Sequence, residues 1–168
     1  MSSTSVKTKI KTNSSAISNM TNLLHNDRVS LKVSTSVIHE LRDNYDDLSF
    51  PGGLKKGLDA LDKLDPRAIE NAICFLEINP YFHRSGYIKE EILTKLKKIK
   101  LTKDQSSRLR KVILNIVDNY YCREFRYYCK LAREIKTKEF IKDLEKRMES
   151  SDKDKAKRAK WMFEYIEK

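Results

Sequence analysis

Leu101–Phe140 reads LTKDQSSRLRKVILNIVDNYYCREFRYYCKLAREIKTKEF, and the fold turns on how this stretch is divided. No Gly or Pro interrupts it, so one long helix is conceivable. The phase of its apolar residues argues against that. At ~100° per residue, Leu109, Val112, Ile113, Ile116 and Val117 form one stripe. Phe125, Tyr128, Cys129 and Ala132 centre roughly 140° away on the same wheel. A single straight helix would need two opposed apolar faces. A turn near Asn119–Cys122 gives instead two antiparallel helices sharing one core.

Working outward, the helix starts fall into a rhythm. Thr102 with Gln105 makes a capping box. Thr137 repeats the same Thr-Lys-acid start, so that LTKDQ at Leu101 and KTKEF at Lys136 lie 35 residues apart. Upstream, Asp65-Pro66 is an N-cap followed by Pro in the first turn. Long first helices are therefore expected near residues 66, 103 and 138, and second helices near 87, 123 and 153. The intervals between first helices are 37 and 35 residues. An earlier pair starts near 36 and 54, on either side of the clear break SFPGG. Core stripes run through Val37, Ile38, Leu41 and Tyr45, then Ile69, Ala72, Ile73 and Leu76. They continue through Ile88, Ile92, Leu93, Leu96 and Ile99, then Phe140, Ile141, Leu144 and Met148. The last holds Ala156, Ala159, Met162, Phe163 and Ile166.

A regular helical hairpin of this period is the mark of an α-solenoid. Over residues 36–168 the chain resembles the HEAT/armadillo-like class of helical repeats. The expected fold is all-α, with stacked HEAT-like hairpins; an irregular helical bundle is the alternative. Residues 1–14, rich in Ser, Thr, Lys and Asn, read as a flexible polar tail. Residues 15–50 read as an N-terminal helical segment forming one domain with the hairpins of residues 51–168. VSLKV at 29–33 alternates as a short strand does, or serves as the lead-in to the next helix.

Of the 168 residues, 35 are Lys or Arg and 24 are Asp or Glu, so the net charge is +11. Residues 101–168 hold +7 of it. Such a field steers acidic partners, either an acidic protein surface or nucleic acid. No apolar run is long enough for a membrane span, and the N-terminus lacks a secretory signal pattern. A cytoplasmic location with reduced thiols is the expectation.

Catalytic and metal constellations are sparse. His25, His39 and His83 fall in three different segments, and Cys-x-x-Cys does not occur. Cys122 and Cys129, if on one helix, have Cα atoms about 10.5 Å apart, beyond disulfide reach. Cys74 and Cys129 read as core residues. No nucleophile elbow or phosphate loop is present. No catalytic residue, cofactor or metal is expected. Bacterial alkylpurine DNA glycosylases are basic HEAT-like enzymes, and the resemblance to them is at the level of fold alone.

Candidate binding residues lie in three places. Arg123, Arg126, Lys130 and Arg133, with Tyr127, line the side of their helix away from Phe125 and Cys129. Arg158 and Trp161 lie with Tyr165 opposite Ala159 and Phe163, and Lys157 is nearby. Cations interleaved with aromatics suit phosphate contact and stacking, although Trp161 and Tyr127 also suit an inter-repeat core. Arg84 and Lys89 flank the Ser85-Gly86 helix start, where free amides hold anions; an ordinary capped turn is the alternative. Second helices of stacked hairpins are neighbours, so the first two faces are expected to merge.

Overall fold

A computed structural model describes residues 2–24 and 31–168. Among these, nine helices occur and no strand. They are α1 (Ser3–Leu24), α2 (Leu31–Ser49), α3 (Leu54–Asp62), α4 (Pro66–Ile78), α5 (Ser85–Leu96), α6 (Lys103–Asn119), α7 (Phe125–Glu134), α8 (Lys138–Met148) and α9 (Lys153–Glu167). The chain divides into two compact units, Met1–Ser85 and Gly86–Lys168, where the sequence suggested one domain.

In the first unit α1 packs on α2 and α4, and α3 packs on α4. The flexible tail expected over residues 1–14 is helix from Ser3 onward. Val6, Ile10 and Ile17 recur at helical spacing and are buried, and Lys7 pairs with Glu77 on α4 at 2.7 Å. The alternation at 29–33 gives no strand from Leu31, where α2 begins; Val29, Ser30 and His25 lie outside the described residues. On α2, Val37 is buried and Leu41 and Tyr45 are half-buried. Ile38, expected in that stripe, lies about 100° further round and is 51% exposed.

SFPGG ends α2 as read. Gly52 and Gly53 both take φ of +88, a left-handed region open to glycine. Asp46 Oδ1 then accepts the Lys55 amide at 3.0 Å and caps α3. Gly57 lets α3 approach the Phe50 ring, which a methyl group there would meet at 2.5 Å.

The second unit is built from local caps and one charged hub. Thr102 and Gln105 form the reciprocal capping box. Thr137 and Asp152 cap α8 and α9 through their side chains. α6 ends at Asn119 and α7 starts at Phe125, so the phase change marks a real turn. Arg110, near the middle of α6, donates to the Ile135 carbonyl just past the end of the shorter α7, so the chain doubles back and the two helices run antiparallel. Lys136, just before α8, reaches Ile166 at the end of α9, which makes the second antiparallel hairpin. α7 packs on α9, and α6 on both α8 and α9. The core holds Leu109, Ile113, Val117, Tyr128, Leu131, Leu144, Ala159 and Met162.

Asp118 ties these hairpins together. Its carboxylate accepts two bonds from Arg147 at 2.9 Å and pairs with Lys155 at 2.8 Å. Burial pushes its pKa up, but the Arg147 and Lys155 hydrogen bonds and charges outweigh that and hold it below the ordinary 3.8.

Candidate functional site

The basic residues singled out from the sequence do different things in the folded chain. Arg84 is exposed, with φ of 66, and belongs to the first unit; the others belong to the second. Two of them are structural. Arg158, expected on an outer face, is only 8% exposed. Its Nε donates to the Val117 carbonyl at 2.7 Å and its Nη2 to the Asp118 carbonyl at 3.1 Å. Those carbonyls lie in the last turn of α6, where intrahelical donors run out and the helix dipole is negative. The buried face of α9 centres on Ala159 and Met162, so Arg158 starts from its edge.

Lys89, expected at an anion site, is the second structural cation. It is 4% exposed, and its Nζ meets Glu124 Oε1 at 3.4 Å. Burial lowers the Lys89 pKa, and the Glu124 charge opposes that shift. A methyl group on Gly86 would stand 3.2 Å from Glu124 Oε2. The anion expected beside the first turn of α5 is thus supplied by the chain itself, as Glu124. At the preceding turn Ser85 Oγ accepts from the Phe82 amide, an ordinary capped turn.

Arg123, Arg126 and Arg133 are exposed, and Lys130 and Tyr127 are half-buried. Arg123 lies 3.5 Å over the Tyr87 ring and pairs with Glu90 at 3.1 Å. Lys130 Nζ sits 4.8 Å from the Tyr127 ring centre. Arg133 lies 5.5 Å over Tyr165 of α9 and 3.9 Å from Glu134. No ion pair among the described residues engages Arg126.

α9 supplies the other edge. Lys157, Trp161 and Tyr165 follow one another at four-residue spacing and form a ridge. Lys157 Nζ stands 4.9 Å from the Trp161 ring, which is 41% exposed. Trp161 also meets Tyr121, with ring centres 5.9 Å apart. The α6–α7 loop and α7 thus touch this ridge at two points, Tyr121 on Trp161 and Arg133 on Tyr165.

No family model, curated protein or solved structure matches this chain.

The thiols are quiet. Burial pushes Cys122 and Cys129 each up to about 12, so neither is a thiolate at neutral pH. No group of three or more His, Cys, Asp or Glu among the described residues is placed to hold a metal ion. The Tyr128 hydroxyl is buried without a hydrogen-bond partner, in the core position assigned to its ring. What the surface offers is positive charge beside fixed aromatic rings. Tyr121 escaped the sequence reading because loop position, rather than helical phase, exposes it; the adjacent turn was the only signal.

Proposed function

We propose that this chain is a non-enzymatic interaction module of HEAT-like helical hairpins that binds an acidic partner through the basic side of its second unit. The observation that carries this reading is the α7–α9 seam. There Arg133 lies over Tyr165, Tyr121 of the α6–α7 loop meets Trp161, and Lys157 stands beside Trp161, while Arg126 and Lys130 share the side of Arg133 at helical spacing on α7. Charge supports it: the second unit holds 24 Lys and Arg against 14 Asp and Glu, a net +10. A field of one sign speeds capture of a partner of the other. The repeat reading is supported by the two antiparallel hairpins and their 35-residue spacing.

Binding fits the carboxylates better than glycosylase chemistry does. Glu124 is ion-paired beneath the surface and Asp118 is held by Arg147 and Lys155.

The test is a triple charge reversal, Arg126→Glu/Lys130→Glu/Arg133→Glu, in the full chain. Arg158 is left intact because it holds the α6 terminus. Affinity for a polyanion such as linear polyphosphate falls at least about tenfold, with the helical circular-dichroism spectrum unchanged. Equal affinity in the folded triple variant contradicts the assignment.

A further inference from the structure

The partner's chemistry can be narrowed, on the footing of the acidic-partner reading. We infer that it is single-stranded nucleic acid, whose bases stack on Tyr121 and Trp161.

Three observations lead there. First, Tyr121 is 73% exposed and yet supported on two sides. Its ring stacks near Phe125, with centres 6.4 Å apart and planes at 29°, and meets Trp161 at 5.9 Å. Phe125 is itself buried. An exposed ring gains little from folding by itself; held by two aromatic neighbours, it is ordered before any partner arrives. Second, the large apolar side chains exposed in the second unit are Tyr87, Tyr120, Tyr121 and Trp161, aromatic in every described case. In the first unit they are Leu23, Ile38, Leu64 and Tyr81. A surface for an acidic protein has no need to exclude aliphatic anchors, whereas a stacking surface uses flat rings. Third, Lys157 lies 4.9 Å from the Trp161 ring centre, within a unit of net +10. A nucleotide offers a flat π-face and a phosphate about one sugar apart, which matches a ring beside a cation. Paired bases in a duplex are already stacked and cannot use these rings, so the inference is specific to single strands.

Trp161 is the only tryptophan in the chain and serves as its own reporter. The full chain is titrated, by Trp fluorescence and by anisotropy of labelled probes, with oligothymidylate about 20 nucleotides long. The duplex of that length, linear polyphosphate of matched charge and polyglutamate are titrated alongside. The expected result is quenching of Trp161 by the oligonucleotide, with affinity at least about tenfold above the other three probes. Tyr121→Ala then lowers oligonucleotide affinity roughly five- to 150-fold, the range for loss of one stacked base. Tyr121→Phe restores it, and polyphosphate affinity is the same in all three proteins. Equal binding of oligonucleotide and polyphosphate with no quenching overturns the stacking inference and leaves the acidic-partner reading standing. Preference for polyglutamate overturns it in favour of a protein partner. Failure to bind any of the four at low salt overturns both readings.

Discussion

The first unit carries 11 Lys and Arg against 10 Asp and Glu, while the second, of nearly equal length, carries 24 against 14. Both are helical and both bury continuous stripes of Ile, Leu, Val and Phe. Burial of those stripes drives folding in each, so the extra charge of the second unit is not explained by its fold. Excess charge of one sign opposes compaction. Part of it is absorbed internally: Lys89 by Glu124, Arg147 and Lys155 by Asp118, and Arg158 by α6 carbonyls. Of the other cations, Arg126, Lys130, Arg133 and Lys157 lie over rings or have no carboxylate partner among the described residues. The comparison therefore separates charge that holds the second unit together from charge that faces outward.

The largest effect comes from breaking an internal pair. Lys89→Met leaves the Glu124 carboxylate buried without its cation and costs about 3–5 kcal/mol in urea unfolding. Adding Glu124→Gln to Lys89→Met recovers much of that loss. A loss under about 1 kcal/mol in the single variant would show that Lys89 is not holding the unit together. In the first unit the corresponding weak point is packing rather than charge. Gly57→Val drives a branched side chain into the Phe50 ring and costs about 1–3 kcal/mol by the same measurement. Binding to polyphosphate under native conditions stays as in the parent chain.

Asp118 sharpens the contrast through pH. Its folded pKa is lowered, so its contribution is present above the ordinary 3.8 and is lost as pH falls through the lowered value. Asp118→Asn is therefore less stable than the parent at pH 7 by about 1–2 kcal/mol, reduced by the partial exposure of the network. The two proteins converge in strong acid. A gap that persists unchanged at low pH would exclude the ionised carboxylate as its source. The smallest effect falls on Arg126→Met, which changes stability by less than about 0.5 kcal/mol, as expected for an exposed side chain away from caps and core. It lowers polyanion affinity nonetheless, and a change in melting without a change in binding would reverse its assignment.

What was legible in the sequence was what is local. Asp65, Thr102 with Gln105, and Thr137 each announce a helix start from two or three neighbouring residues, and each makes the expected side-chain cap. The turn before Phe125 was readable because apolar phase is also local. The first half of α1 was missed because its buried residues are few and widely spaced within a polar segment. Arg158 and Lys89 were misread for a different reason. The carbonyl that Arg158 serves is 41 residues away in the chain, and Glu124 lies on a different element from Lys89, so no window around either cation reveals its partner. Arg126 and Arg133 are exposed as the sequence suggested; for Trp161 and Tyr127 it left an outer face and an inter-repeat core both open, and Trp161 is 41% exposed while Tyr127 is half-buried.

The most direct test of outward-facing charge in the second unit is the salt dependence of polyphosphate binding by the full chain and by Arg126→Glu/Lys130→Glu/Arg133→Glu. For the parent, affinity falls about 60-fold or more between roughly 50 and 200 mM salt, with a log–log slope that the triple variant flattens by about two to three. Absence of binding at the lowest salt, or identical slopes for the two folded proteins, contradicts the account.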